Sequence, residues 1–333
     1  MSLDYNTLEK APRLLIEAEL KPLQGHRFQP TGFADLGPAR YKAPDGSDML
    51  LVESAQSVAN RLEFAIWDDA SDDLIEAAEG LPYIRVNNAD GSMLTNSILE
   101  AHRINSPYIL EGKDKSVFNY LKEDAAGLEL GPVKLKNLAE IVMKYDANAM
   151  LHGVFLAKSD LAGGRLRLMR ALSGFIEATG ASVAESGGVK NDRVDPSGDT
   201  KQGFGNVPFH RTEFTARQIK AYFNLDLALL QGYGLPEAAG KLLVALALLK
   251  VRRFLSQGLR LRTACDFDLV GDLKVTRPSS FDVPEETELL SEVKTQIDAC
   301  GRIEGLFAEP RITVVNWESA KKKAKKQTEV AEA

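Results

Sequence analysis

A chain of 333 residues, 44% hydrophobic and 26% charged, is long and apolar enough to bury a sizeable core, which excludes a wholly disordered protein. The formal net charge of −6 argues against a uniformly basic nucleic-acid binder, although basic residues cluster locally. Two cysteines and four histidines without metal-ligand spacing argue against a structural zinc site.

The hydropathy pattern predicts a cytoplasmic protein. The longest apolar run, at 242–251, is about half the length of a transmembrane span. The first residues lack the basic and apolar regions of a signal peptide. Two cysteines in a chain of this size are also typical of a reducing compartment.

In the first half of the chain the pattern predicts a helix over 5–20 interrupted near Pro12, a Gly/Pro-rich run, a strand–helix unit at 49–67, short extended pieces over 81–112 and mostly helix over 113–148. In the second half it predicts a strand at 150–157, a helix that opens after Gly164 and carries an apolar stripe through Ile176, a buried helix at 236–257, a strand pair over 259–276, a helix at 285–300 and a last strand at 311–317. This alternation predicts an α/β or α+β domain with long insertions.

The segment 185–210 has no periodicity and is rich in Gly, Asp and Asn, which predicts a long loop that is functional or flexible. Its Asp192, Asp195 and Asp199 leave open a divalent-metal site for phosphodiester cleavage, although Asp in a Gly-rich loop more often shapes turns. The sequence contains no Walker A loop, GxSxG elbow, HExxH or CxxC motif. We therefore expect a protein without enzymatic activity, catalytic residues, metal or cofactor.

The stretch "LLVESAQSVANRLEFAIW" at 50–67 reads as a strand running into an amphipathic helix with Ser54 as its N-cap. Gln56 and Asn60 lie one turn apart, as do Ser57 and Arg61, and both pairs point away from the apolar stripe. A helix N-terminus favours phosphate, so these side chains are candidates for a phosphate site. Replacing Gln56 and Arg61 together by Ala should leave the fold intact, because both lie off the apolar stripe. A merely solvated polar face is the alternative.

Two basic stretches, "GGRLRLMR" and "GLRLRT", repeat this theme. In an extended segment Arg165 and Arg167 would share one face, and Arg260 and Arg262 show the same alternation. Guanidinium forks suit phosphate oxygens, but charge that protects a sheet edge is the alternative. Aromatic residues make up only 7% and form no cluster, so an RNA ligand would be held through its backbone rather than by stacking.

Several stretches occur in the order found in one CRISPR-associated RAMP family: "LLVESAQSVANRLE", "EAHRI", "HGVF", "RLMRALSGFIEA", "RVDPSG", "RTEFTARQIKAYFNLDLALLQGYGL" and "LLVALALLKVRRFLSQGLRLRTACDFD". Over roughly residues 1–317 the chain resembles the backbone subunit of type I-G (formerly I-U) Cascade effector complexes. The pattern Ser54-x-Gln56-Ser57 followed by Arg61 also resembles the helix start that faces the guide RNA in backbone subunits of other type I systems.

The resemblance implies an α+β fold: a single domain over 1–317 built on a modified RRM (ferredoxin-like) RAMP palm with inserted thumb and finger elements. The thumb is expected near 86–146, where it would press between nucleotides, and 318–333 is expected to be a disordered basic tail. Several copies would polymerise along one guide as the spine of a DNA-targeting surveillance complex for antiviral defence. The implied partners are the guide CRISPR RNA, the target DNA strand paired to it, further copies of the chain, the large subunit and the guide-processing RAMP subunit.

The residues predicted to contact RNA carry basic, amide or hydroxyl side chains: Gln56, Ser57, Asn60, Arg61, His102, Arg103, Arg165, Arg167, Arg170, Lys190, Arg193, His210, Arg211, Arg260 and Arg262. The loop 185–210 would reach the neighbouring subunit, the guide or target DNA. Two alternatives stay open. Related type III backbone subunits cut target RNA with a loop Asp, and a metal-dependent RNase using Asp192, Asp195 or Asp199 is the first, although no Asp here aligns clearly with that position. A single-stranded-RNA-binding module that acts as a monomer is the second.

Overall fold

The computed structural model describes residues 3–33 and 35–318. Two compact units share the chain: unit 1 comprises the residues up to 65 together with 172–228 and 247–289, and unit 2 comprises 66–171, 229–246 and the residues from 290. The chain therefore passes repeatedly from one unit to the other. A single domain over 1–317 remains a prediction, and from residue 319 onward the predicted tail lies outside the described residues.

The described α-helices are α1 (Tyr5–Glu9), α2 (Ala55–Phe64), α3 (Pro107–Leu110), α4 (Ser116–Asp124), α5 (Leu135–Tyr145), α6 (Ala149–His152), α7 (Leu227–Gly232), α8 (Glu237–Ser256) and α9 (Glu286–Gly301). The described strands are β1 (Leu14–Pro22), β2 (Gly32–Phe33), β3 (Gly37–Pro38), β4 (Arg40–Lys42), β5 (Asp48–Glu53), β6 (Trp67–Asp68), β7 (Asp73–Leu74), β8 (Tyr83–Asn87), β9 (Met93–Asn96), β10 (Val154–Leu156), β11 (Leu166–Leu168), β12 (Leu172–Thr179), β13 (Ser182–Lys190), β14 (Val207–Thr215), β15 (Gln218–Leu225), β16 (Arg260–Arg262), β17 (Cys265–Leu269), β18 (Lys274–Arg277) and β19 (Ile312–Asn316).

The main sheet of unit 1 has the strand order β16-β17-β1-β15-β12-β5-β4, and β18 also pairs with β1. Its centre, β17-β1-β15-β12, is antiparallel throughout. In chain order these elements are β1, α2, β12, β15, α8 and β17. Numbered along the chain, the four strands therefore lie in the sheet in the order 4-1-3-2. A βαββαβ unit with this order is the ferredoxin-like arrangement, which confirms the predicted α+β fold and its palm.

Alternating burial explains why the central strands form. In β15, Ile219, Ala221 and Phe223 are buried while the residues between them are half-buried, and β12 shows the same period of two. Gly174 of β12 faces the buried side, where an added Cβ would lie 2.8 Å from the ring of Phe223 and 3.1 Å from a methyl group of Val58 in α2. Glycine therefore lets α2 approach the sheet closely.

Two predicted helices are wrong. Over 5–20 the structure has only the short α1 followed by β1, in which Leu14, Ile16, Ala18 and Leu20 alternate as buried residues. After Gly164 the chain forms β11 and β12 rather than a helix. In both places the apolar residues fit a strand period of two as well as a helical spacing. Pairing with neighbouring strands in the sheet favours the strand.

The segment 185–210 is largely regular, in contrast to the structureless loop predicted from its sequence. Strands β13 and β14 pair from Ser182↔Thr215 to Lys190↔Val207, so only 191–206 forms the tip of a long hairpin. The hairpin carries exposed apolar side chains, among them Val194 at 94% and Phe204 at 53% exposure. Gly187 and Gly188 interrupt the alternation of side chains in β13, so the sequence pattern did not predict this strand.

Unit 2 contains a three-stranded sheet in the order β19-β8-β9, in which β19 runs parallel to β8. The segment 86–146, predicted as a thumb, supplies β9, α3, α4 and α5 to this unit. Its Ile104, Ile109 and Val142 are completely buried. The segment is therefore part of the folded body of unit 2. Among the described residues, no helix is both long enough and apolar enough to span a lipid bilayer.

Candidate nucleic-acid interface

Helix α2 begins as predicted. The Ser54 hydroxyl oxygen accepts a hydrogen bond from the backbone N–H of Ser57 at 3.2 Å, which makes Ser54 the N-cap. Gln56 and Asn60 are exposed, and the Gln56 amide donates to the Asn60 side-chain oxygen at 2.9 Å. The opposite face, including Leu62, is buried. The first turn thus presents polar side chains to solvent at the N-terminus of a helix, where the helix dipole favours a phosphate.

A buried carboxylate lies directly before this helix. Glu53 ends β5 with a side chain that is 1% exposed, and two guanidinium groups bind it: Arg61 Nε lies 3.7 Å from Oε1, and Arg262 contacts Oε2. Arg262 also donates to the backbone carbonyls of Gln29 at 3.0 Å and Val52 at 3.1 Å. One carboxylate for two guanidinium groups leaves a net positive charge. We call Glu53, Arg61 and Arg262 the first arginine cluster.

Arg61 is therefore more than a ligand candidate on a polar helix face. Besides Glu53, its guanidinium donates to the backbone carbonyls of Arg260 at 3.4 Å and of Leu261, which ties α2 to β16. Burial lowers the pKa of Arg61 from its ordinary value, although an arginine stays protonated in water at neutral pH. Replacing Arg61, one of the two changes predicted to leave the fold intact, would break these bonds, so we now expect it to destabilise the fold.

A second arginine cluster repeats the arrangement. Glu213 of β14 has a side chain that is 8% exposed, and its carboxylate lies 3.1 Å from Arg27 and 3.6 Å from Arg211. The two guanidinium groups are more open, with side chains 56% and 36% exposed. Ser186 donates to the same carboxylate at 3.1 Å. This cluster too carries one net positive charge at the surface.

A cleft of about 600 Å³ brings residues from both arginine clusters together. Its walls are 29–33 and 37–38, which contain the β2–β3 hairpin, residues 210–212 of β14, and Arg262. Three predicted residues, His210, Arg211 and Arg262, therefore share one site, which we call the basic cleft. The backbone N–H of Thr31 in its wall donates to the Val52 carbonyl at 3.0 Å, so the cleft adjoins the start of α2.

Nonlocal pairing builds the basic cleft. Phe28 and Phe214 form an isolated antiparallel bridge with two backbone hydrogen bonds of 2.9 Å, which places Arg27 beside Glu213. Arg27 and the cleft residue Phe33 were missed by the sequence analysis. The only local signal was a pair of basic residues and two aromatic rings in the Gly/Pro-rich run "GHRFQPTGF".

Five predicted residues lie in unit 2 and are described there: His102, Arg103, Arg165, Arg167 and Arg170. His102 and Arg167 are exposed, and Arg170 is half-buried. Arg103 donates to the Gly153 carbonyl at 2.9 Å.

Arg165 is exposed, but its guanidinium group is bound to backbone carbonyls. Its guanidinium donates to the carbonyls of Leu128 at 2.8 Å, Glu129 at 2.8 Å and Gly131 at 2.7 Å. These bonds hold the turn before α5, and Arg165 itself lies one residue before β11. The geometry favours a structural role for Arg165 over the predicted phosphate contact.

The remaining predicted residues of unit 1 are exposed. Arg260 has a side chain 74% exposed, with its Nε 3.6 Å from Asp266. Lys190 is the last residue of β13, Arg193 lies in the hairpin tip, and His210 of β14 contacts Glu185 at 2.6 Å.

The aspartates of the hairpin tip shape its turns. Asp192 accepts hydrogen bonds from the backbone N–H groups of Val194 at 2.8 Å, Asp195 at 3.1 Å and Gly205 at 2.9 Å. These bonds hold the pKa of the Asp192 carboxyl below its ordinary value. In the described part of the chain, no group of three or more His, Cys, Asp or Glu side chains is arranged to bind a metal ion. Turn formation therefore accounts for Asp192 without a metal.

The solved structures that the chain resembles include two at low identity. One belongs to a structure named "CRISPR RNA-guided surveillance complex, pre-nicking" (16% identity, 79% of this chain and 75% of that chain covered, TM-score 0.42). The other is Csc2 of Thermofilum pendens (8% identity, 90% and 81% covered, TM-score 0.34). Both TM-scores lie below 0.5. No curated protein matches the chain.

A family model assigns the chain to a protein family. The family model for "CRISPR-associated protein GSU0053" matches residues 14–183. This range includes the start of α2, Glu53 and Arg61, Arg27 and the β2–β3 hairpin. The match spans slightly more than half of the chain, which therefore belongs to the family of CRISPR-associated protein GSU0053.

Proposed function

We propose that this protein is the backbone subunit of a type I-G Cascade complex, which binds guide CRISPR RNA and polymerises along it without reading its sequence. The single observation that carries the proposal is the basic cleft. Arg211 and Arg262, one from each arginine cluster, line this cleft near the start of a helix in a CRISPR-associated protein. A polyanion bound in this site on successive copies of the chain has the negative charge that matches it.

Phosphate recognition explains why binding would be independent of sequence. Guanidinium groups and helix N–H groups contact phosphates and fix position without reading base edges. The buried carboxylates of Glu53 and Glu213 hold the guanidinium groups in place before RNA arrives, which lowers the entropy lost on binding. Sequence recognition is then left to base pairing between the guide and target DNA.

Partners follow from the same proposal. Further copies of the chain line up along the guide, the large subunit and the guide-processing RAMP subunit complete the complex, and the target DNA strand pairs with the guide. The assembly works in the cytoplasm, and this subunit takes no part in catalysis. Exposed apolar side chains on the β13–β14 hairpin support a contact with another molecule, since clustered exposed apolar groups mark interaction surfaces.

A salt titration of RNA binding tests the proposal. The two arginine clusters and Arg260 neutralise about three phosphates per copy, which gives a log–log salt slope of roughly −2 at about −0.7 per phosphate. The dissociation constants for unstructured RNAs of different base composition should differ by no more than a few-fold. Filter binding at several salt concentrations measures both quantities. A slope near zero, or a strong preference for one sequence, would contradict a backbone-reading subunit.

A further inference from the structure

The basic cleft is also lined by an exposed aromatic side chain. Phe33 lies at the end of β2 with 77% of its surface exposed, and it lines the cleft. An aromatic ring is a large apolar surface, so an exposed ring in the wall of a site is available to stack on a flat ligand. Leu36, in the turn of the same hairpin, is 82% exposed but does not line the cleft.

The cleft combines three kinds of group. Phe33 offers a flat apolar face, Arg211 and Arg262 offer positive charge held by buried carboxylates, and Gln29 and Thr212 offer polar atoms. A volume of about 600 Å³ falls in the range of about 300–1,000 Å³ typical of sites for small organic molecules. A ligand that satisfies all three groups has a flat ring, an anionic group and hydroxyls. A nucleotide of single-stranded RNA has this composition.

A protein partner is the competing occupant for an exposed Phe. The charge of the site favours RNA, because each arginine cluster has two guanidinium groups for one carboxylate. The excess of positive charge remains when the carboxylate of Glu185, which contacts the cleft residues His210 and Thr212, is included. A protein segment on this wall would have to bring acidic groups for both clusters. RNA brings one negative charge with every nucleotide.

We propose that Phe33 is a stacking platform for one base of the guide RNA in the basic cleft, with the adjoining phosphate on Arg211. The inference rests on the proposed function and adds a base contact to it. Every base has a π-face, so stacking on Phe33 tolerates any sequence. The prediction from composition, that RNA is held without stacking on exposed rings, is thereby revised at one position.

Two RNAs and four proteins test this platform. The RNAs are a short oligouridine and an oligomer of the same length whose riboses carry no bases. The proteins are the wild type, Phe33→Ala, Phe33→Trp and the control Leu36→Ala. The wild type should bind oligouridine about tenfold more tightly than the abasic strand, a difference typical of one stacked base. Phe33→Ala should remove this difference, whereas Phe33→Trp and Leu36→Ala should keep it.

The outcomes separate the platform from the proposed function. Equal binding of both RNAs by the wild type, or a base preference that survives Phe33→Ala, would overturn the stacking platform while leaving phosphate binding intact. Failure of the wild type to bind either RNA would instead overturn the proposed function. Loss of self-association in Phe33→Ala without any change in RNA affinity would assign the ring to a protein partner and also overturn the platform.

Discussion

Replacing Glu53 by Ala lowers the free energy of unfolding by about 3 kcal/mol, because the change leaves the guanidinium groups of Arg61 and Arg262 without their shared carboxylate. The Arg262 bonds to backbone carbonyls and the Arg61 bonds to β16 depend on the same geometry. Urea denaturation followed by circular dichroism measures the loss. Glu53→Gln should be nearly as damaging, since it keeps the shape of the side chain but not its charge.

Glu76→Ala is the matched control for this experiment. Glu76 pairs with Lys294 at 3.4 Å, but its side chain is 85% exposed, so the change should alter stability by less than about 1 kcal/mol. If Glu53→Ala were no more destabilising than Glu76→Ala, the first arginine cluster would not be a structural element of the fold.

Replacing Arg211 by Ala weakens RNA binding about tenfold to a hundredfold. The second arginine cluster then keeps only Arg27 opposite Glu213 and has no net charge, so one charge-assisted phosphate contact, worth about 1.5–3 kcal/mol, is lost. The log–log salt slope should also become shallower by about 0.7. Arg27 still pairs with Glu213, so the fold should survive. Affinity titrations at several salt concentrations give both numbers.

Arg277→Ala removes the same charge from an exposed position on β18 that does not line the basic cleft. This control should change affinity by no more than about twofold. Equal losses for Arg211→Ala and Arg277→Ala would mean that RNA senses only the overall charge of the protein, and the cleft would have no special role.

Local signals in the sequence located half of the candidate site. The N-cap Ser54 and the pairs one turn apart are read within eight residues, so the start of α2 was predicted with its exposed and buried faces. Helix α8 and strand β19 were also predicted from local signals. A long apolar run indicates a buried helix, and a short run rich in β-branched residues indicates a strand.

The basic cleft could not be predicted in the same way. Arg27 and Arg211 are 184 positions apart, and only the bridge between Phe28 and Phe214 brings their segments together. Sequence also cannot tell an arginine that binds phosphate from one that binds carbonyls. Arg165 and Arg211 look alike in their basic stretches, yet the first holds a turn and the second faces a cleft.

The number of copies bound to guide RNAs of increasing length tests the central proposal most directly. Native mass spectrometry of the protein with guides of several defined lengths counts the copies in each complex. A backbone subunit that polymerises along the guide should add whole copies in regular steps as the RNA grows. A single copy on every length of RNA would contradict polymerisation and identify a monomeric RNA-binding module instead.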